Sequence, residues 1–221
     1  MHIMEGWLPA RHALGWTLVA SPCVALGFGR LSRRTREHPA EKLHLGACAG
    51  FVFALSALKL PSVAGSCSHP TGIGLGAVLV GPGTMVVLGT LVLLFQALFL
   101  AHGGITTLGA NACSMAIAGS LVAWGFHRLA RVLGMPRGVA LFLAACLSDL
   151  ATYAVTSVQL GMAFPSGQGG VAASTAKFLL VFLPTQVPLA VAEGFLTVLV
   201  ANLLRSRLGS DPRFAALEGS A

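Results

Sequence analysis

Charge is the scarcest resource in this sequence. Only 10% of its 221 residues are Asp, Glu, Lys or Arg. A soluble chain of this size normally carries about 25%. A water-facing shell cannot be assembled from so few ionic groups, so lipid must serve as part of the solvent. Other absences narrow the chemistry. The five cysteines (Cys23, Cys48, Cys67, Cys113 and Cys146) contain no CxxC spacing and lie mostly within apolar runs, which disfavours a disulfide framework or a zinc site. No GxxxxGK[ST] loop is present, so the chain has no such phosphate cradle for ATP. No paired-histidine haem arrangement on two facing spans is evident, nor any internal repeat or low-complexity tract. A single membrane domain over residues 1–221 is the simplest organisation.

What is abundant is apolar sequence, 55% of the chain, with 27 glycines. A membrane-crossing helix needs roughly 17–25 predominantly apolar residues. Runs of that kind occupy 14–29, 43–60, 84–101, 108–126, 139–164 and 178–204, and a shorter glycine-rich run occupies 73–80. The basic residues decide whether the short run counts. With seven crossings, one side collects Arg30, Arg33, Arg34, Arg36, Lys42, Arg128, Arg131, Arg137, Arg205, Arg207 and Arg213. The other collects only Arg11, Lys59 and Lys177. Six crossings would split the arginine clusters between the two faces. The positive-inside rule therefore selects seven, with the N-terminus outside. The formal charge of +7 becomes a topology signal, and nucleic acid is not needed to explain it.

This reading places residues 1–10 outside as a metal-binding N-terminal segment, with outside loops at 61–72 and 101–111. Cytoplasmic loops fall at 30–42 and 127–138, and a cytoplasmic tail at 206–221. The glycine pairs Gly46/Gly50, Gly72/Gly76 and Gly134/Gly138 have the four-residue spacing that lets helices approach closely in lipid. Residues 1–11 contain Glu5 and no basic leader region, so Met1 is expected to be the displayed start of the chain.

Met1-His2 with a free α-amine can chelate. The amine, the His2 amide nitrogen after proton loss and imidazole Nδ1 close fused rings around one ion, leaving a fourth planar corner for another imidazole. Such nitrogen geometry suits Ni(II) or Cu(II), and low-spin Co(II) adopts it as well. His69 is the best fourth donor, because His69-Pro70 resists helix and holds the ring on irregular backbone. Cys67 beside it reads as a packed small residue. His102 opens the other outside loop, as a supporting group or alternative ligand. Ligand imidazoles usually need a partner for their second nitrogen. Ser66, Ser68, Thr71, Gln96 and Asn111 are the candidates. Asp149 and Glu193 are intramembrane acids, read here as structural hydrogen-bonding groups rather than a proton relay.

Three stretches carry a resemblance: MHIMEGWLP over residues 1–9, SALKLPSVAGSCSHPTG over 56–72, and AHGGITTLGAN over 101–111. With LSDL at 147–150 and AFP at 163–165, they resemble the CbiM/NikM family, and the likeness spans about three quarters of the chain. These are the substrate-binding (S) components of cobalt/nickel energy-coupling-factor transporters. The resemblance implies an all-α integral membrane fold of seven transmembrane helices, a six-helix S-component core plus an added N-terminal helix. It implies metal held by Met1, His2 and His69. It also implies partners: a CbiQ-like transmembrane coupling subunit, CbiO-like ATP-binding-cassette ATPases and a small CbiN-like accessory membrane subunit. The chain would then be no enzyme, but a multi-pass subunit of a bacterial cytoplasmic membrane importer. Its cargo would be Co(II), or alternatively Ni(II), with cobalamin synthesis downstream. The alternative reading is an ion-coupled permease or channel using Asp149 and Glu193.

Overall fold

The computed structural model describes residues 1–58, 60–61 and 66–208. Lys59, part of the 61–72 loop and most of the 206–221 tail, Arg213 included, lie outside the described residues. Helices dominate: α1 (Ala10–Glu37), α2 (Glu41–Ser56), α3 (Ile73–Val80), α4 (Pro82–Phe99), α5 (Leu108–Asn111), α6 (Ser120–Val132), α7 (Arg137–Ala163) and α8 (Gly170–Leu208). A π-helical turn over Ala112–Gly119 joins α5 and α6 into one rod. Three short strands, β1 (His2–Ile3), β2 (Leu60–Pro61) and β3 (Ser66–Ser68), form an antiparallel sheet in the order β1-β3-β2.

Five of these rods (α1, α4, α5–α6, α7 and α8) are long and apolar enough to cross a membrane. The 16 residues of α2 and the eight of α3 fall short of that length. Successive segments nevertheless run in opposite directions. Gly27 of α1 lies against Gly83 at the start of α4, Ser56 ends α2 beside Gln96 near the end of α4, and Gly76 of α3 faces Met85. In α7 and α8, Gly161 meets Thr175 while Gly194 meets Phe142. At one end, Arg34 donates to the carbonyl of Val80 at 3.0 Å and pairs with Glu41. Arg11 and Lys177, by contrast, belong to the starts of α1 and α8, at the end that carries β1. The basic clusters therefore gather at the end of the bundle away from β1.

The helices outrun the apolar segments that announce them. α1 continues through Arg30–Arg36 to Glu37, because arginine is a good helix former and its head group reaches water from the helix end. The connections at 38–40 and 133–136 are correspondingly shorter than the expected loops. Asn111 stands on the first turn of a helix rather than in a loop.

Of the glycine pairs, Gly72/Gly76 does lie at a close approach: a Cβ at Gly72 would lie 3.2 Å from Val52 Cα, and one at Gly76 would meet Met85. The other two need correction: a Cβ at Gly46, Gly50 or Gly134 would meet nothing within 4 Å, so these glycines face outward. Further close helix contact is made at other glycines. At Gly74 a Cβ would lie 2.5 Å from Ala145 Cα, at Gly109 2.6 Å from Thr17 N, and at Gly27 2.7 Å from the Gly83 carbonyl oxygen. Ala13, Ala20 and Gly27 are the buried residues of α1, spaced by sevens. They form the narrow seam by which this helix docks.

Candidate metal centre

The N-terminus folds inward. Met1, His2 and Ile3 are all 0% exposed. β1 pairs antiparallel with β3, placing His2 opposite Cys67 and Ile3 opposite Ser66. Two strand residues would not hold by themselves, so side chains complete the docking. Asn111 clamps the Ile3 peptide: its Oδ1 accepts from Ile3 N at 2.8 Å and its Nδ2 donates to Ile3 O at 3.0 Å. Thr107 Oγ1 donates to the same carbonyl at 2.9 Å. Further out, Glu5 N donates to Gly103 O at 3.1 Å, and the Glu5 carboxylate accepts from the amide and hydroxyl of Thr106. That hydroxyl bond holds the Glu5 carboxyl below its ordinary range.

Three imidazoles converge at this point. The ring centroids of His2 and His69 are 4.3 Å apart, His2 and His102 4.5 Å, and His69 and His102 4.9 Å. Together with Cys67 they form a buried group whose potential ligand atoms all lie within 4.8 Å of one another. The hydrogen bonds specify tautomers. His69 Nδ1 lies 2.8 Å from the Pro70 carbonyl, which can only accept, so Nδ1 carries the proton and Nε2 keeps its lone pair. His2 Nε2 lies 3.3 Å from the thioether sulfur of Met115, likewise an acceptor, which leaves the lone pair on Nδ1. Those two atoms, His2 Nδ1 and His69 Nε2, are buried and have no hydrogen-bond partner among the described residues. A buried polar atom in that condition calls for a cause, and an ion is one.

Electrostatics favour neutral donors here. Burial pushes the Met1 amine below its ordinary value, opposed by the negative fields of Asp149, Cys67 and Glu193. Burial likewise holds His2 well below the usual imidazole range, reinforced by His69, the amine and His102. His69 shifts the same way through burial, the amine and His102, against a smaller opposing effect of its bond to Pro70. All three groups are thus prepared to offer lone pairs.

The expected supporting residues are distributed differently from their sequence assignment. None of Ser66, Ser68, Thr71, Gln96 or Asn111 makes the bond to His2 Nε2 or His69 Nδ1, since Met115 and Pro70 occupy those positions. His69 is satisfied by the carbonyl of the residue next to it in sequence, and His2 by a side chain that the fold brings from the π-helical turn. Asn111 holds backbone instead, and Ser66 lies opposite Ile3 in the strand pair. Gln96 Nε2 donates to Ser56 Oγ at 2.7 Å and to the Phe53 carbonyl, closing the end of α2, while the Gln96 backbone carbonyl accepts from His102 N. Cys67 is more than packing, for its sulfur lies 2.9 Å from His102 Nε2.

Glu193 is the structural group that sequence suggested, accepting from Thr71 Oγ1 and Gly72 N, each at 2.9 Å, and from Thr71 N. Asp149 is not: both of its oxygens are buried without a hydrogen-bond partner among the described residues. Sequence reasoning also passed over Met115, Thr107, Thr185 and Gln186. Met115 and Thr107 are recognisable only once the chain has folded back on itself. Gln186 could have been noticed as an uncharged polar residue inside the last apolar run.

Comparisons with known proteins agree on one family. The family model described as CbiM, cobalt uptake substrate-specific transmembrane region, matches residues 2–209. A curated relative named cobalt transport protein CbiM, from Nostoc sp., is 61% identical over 207 residues, covering 93% of this chain and 79% of its own. Cobalt transport protein CbiM 2 of Pelobacter propionicus is 55% identical over 214 residues, 95% of each chain. The Salmonella typhimurium protein of the CbiM name is 54% identical over 207 residues, 94% of this chain and 84% of its own. A solved structure described as a transition metal transporter superposes with a TM-score of 0.79 over 93% of both chains at 22% identity, which establishes the shared fold.

Proposed function

Because this chain belongs to the CbiM family, we propose that it is the ion-capturing membrane component of a cobalt importer. Co(II) is the cargo, with Ni(II) the alternative the same donors accept. The ion is held by the Met1 amine, the His2 amide nitrogen, His2 Nδ1 and His69 Nε2. The observation that carries this reading is the pair of buried, unpartnered nitrogens on two imidazoles 4.3 Å apart, beside a buried N-terminal amine.

Four nitrogens in a plane suit late first-row ions, and only such ions drive an amide to lose its proton. Capture therefore releases at least that proton to solvent, and also the amine proton wherever the amine is charged. The bound ion and the amidate together leave one net positive charge. Asp149 and Glu193 stand within electrostatic reach of the amine, and a single ionised carboxylate of the two offsets that charge. Closure of the N-terminal segment, through Asn111, Thr107 and Glu5, traps the ion away from water.

In this reading the chain crosses a bacterial cytoplasmic membrane seven times with Met1 outside. The alternating helix directions and the gathering of basic residues at the opposite end support that arrangement. α3, only about 12 Å long, completes the third crossing by continuing from the buried β3 and His69 stretch. Irregular backbone at that depth is tolerable because protein surrounds it and the strands satisfy its polar groups. ATP is hydrolysed by CbiO-like ATPases and coupled through a CbiQ-like subunit, with a CbiN-like accessory protein completing the assembly. Uptake of Co(II) into proteoliposomes tests this directly. Transport should require the ATPase partners and ATP. Uptake by this chain alone under a proton gradient would replace the reading with an ion-coupled permease built on Asp149 and Glu193.

A further inference from the structure

His69 is held differently from the other donors. Met1 and His2 arrive on the N-terminal segment, which α5 and the turn before it clamp. His69 lies in the short irregular stretch between β3 and α3, and both ends of that stretch are fastened to α8. On one side, Gln186 Nε2 donates to Ser68 Oγ at 2.7 Å, and Thr185 Oγ1 stands 3.2 Å from the same oxygen. On the other, the Glu193 carboxylate collects the amide and hydroxyl of Thr71 and the amide of Gly72. Ser68, His69, Thr71, Gln186 and Glu193 are all at most 1% exposed, so water cannot substitute for these bonds. Gly72 sits at φ +71°, the left-handed step that begins α3, and its amide is one of those the carboxylate holds.

Gln186 and Glu193 are seven residues apart, two turns along one face of α8. The same helix carries Pro184 and Pro188. Each proline removes an N–H from the helical ladder, so α8 is weakest against bending beside the first of its two grips. Its main packing partner is α7, and Leu180, Val187, Val191, Phe195 and Leu199 point outward.

We infer that Gln186 and Glu193 are positioning residues for His69, and that bending of α8 at its proline-weakened turn, where Pro188 lies between the two grips, decides whether His69 Nε2 stays in the donor plane. The two grips flank His69, so a change in their separation must turn the ring between them. The N-terminal donors pair with β3 but are clamped independently of α8 by Asn111 and Thr107, so that clamp holds them while the His69 ring turns. Loss of one nitrogen in four converts a closed planar set into an open one. Release of the ion therefore runs through α8, while capture runs through the N-terminus. This inference rests on the ligand assignment proposed above.

The test uses the full chain in lipid nanodiscs, titrated with Co(II) and followed by visible absorption and by chelator-chased dissociation. Glu193→Gln and Gln186→Leu should each speed Co(II) dissociation at least tenfold and shift the absorption spectrum toward that of His69→Ala. Added imidazole should restore the spectrum in all three. The double change Pro184→Ala with Pro188→Ala should slow dissociation. Should Glu193→Gln fail to fold, Gln186→Leu and Ser68→Ala, which leave the buried carboxylate and its bonds intact, carry the same readout. Wild-type dissociation and spectrum in the α8 variants, alongside a defective His69→Ala, would overturn the inference alone. Unimpaired binding by His69→Ala would overturn the ligand assignment and this inference with it.

Discussion

Replacing Asn111 with alanine should weaken Co(II) binding by about 10- to 1,000-fold without altering the bound ion's spectrum. Asn111 makes both bonds that seat the Ile3 peptide, at 2.8 and 3.0 Å, in a place where Ile3 and Asn111 are at most 1% exposed. Removing it orphans the Ile3 N–H. A buried donor left unsatisfied costs about 1–3 kcal/mol, and a lost neutral hydrogen bond about 0.5–1.5 kcal/mol. The Ile3 carbonyl is not orphaned, because Thr107 Oγ1 still donates to it at 2.9 Å. Together these come to about 1.5–4.5 kcal/mol against the closed state, and each 1.4 kcal/mol is a factor of ten in affinity. Thr107→Val, which leaves the Asn111 clamp in place, should lose only about fivefold, close to 1 kcal/mol. The double variant should lose more than the two single losses combined, since it leaves the Ile3 carbonyl without either donor. Isothermal titration with a competing chelator measures the affinities, and visible absorption of the loaded protein reports the donor set. Wild-type affinity in Asn111→Ala would refute the clamp. A changed spectrum would refute the claim that Asn111 holds backbone rather than metal.

Other expectations follow from the same geometry. His2 and His69 have folded pKa values below the ordinary 6.5, and the Met1 amine lies below 8.0, so the docked segment binds fewer protons than the undocked one. Docking is therefore fully supported above pH 8 and weakens as pH falls through 6.5 and below. Trp7, whose ring centroid is 6.4 Å from that of Phe164, should report this by fluorescence in a Trp16→Phe, Trp124→Phe background, and a flat profile from pH 8 to 5 would contradict it. Gly109→Ala forces a Cβ onto the backbone of Thr17, and overpacking of that kind costs about 1–3 kcal/mol. Gly46→Ala, in open space within α2, should instead stabilise by about 0.5–1 kcal/mol, because it removes the backbone freedom of a mid-helix glycine. Thermal unfolding in detergent should give shifts of opposite sign for the two.

Much of this was legible before any coordinates. Apolar runs located the helices because a membrane leaves long hydrophobic stretches little alternative. The break at Gly81-Pro82 separated α3 from α4 as a turn signal should. Met1, His2 and His69 stood out because chelation constrains residue type and spacing so tightly. The sheet that unites them could not be read. Strands of two and three residues carry no usable period, and β1 pairs across more than sixty residues of chain. The partners of the imidazoles were misassigned for a related reason. Polar side chains looked like the natural acceptors, yet a backbone carbonyl and a thioether took the positions, and neither carries a polar signature in sequence. Spacing finds Gly72 and Gly76 but not Gly27, Gly74 or Gly109, because it identifies a stripe of small residues and not the side of the helix on which a neighbour lies.

The most direct test of the ligand set concerns the α-amine. Protein bearing one additional residue before Met1 should be purified in metal-free buffer, and half of it cleaved to expose Met1. Co(II) affinity is then compared between the two. The account predicts tight binding only after cleavage, because the extension converts a chelating amine into an amide and displaces a terminus that is fully buried. Equally tight binding by the uncleaved protein would contradict it, and would hand the ion to the side chains of His2, Cys67, His69 and His102 alone.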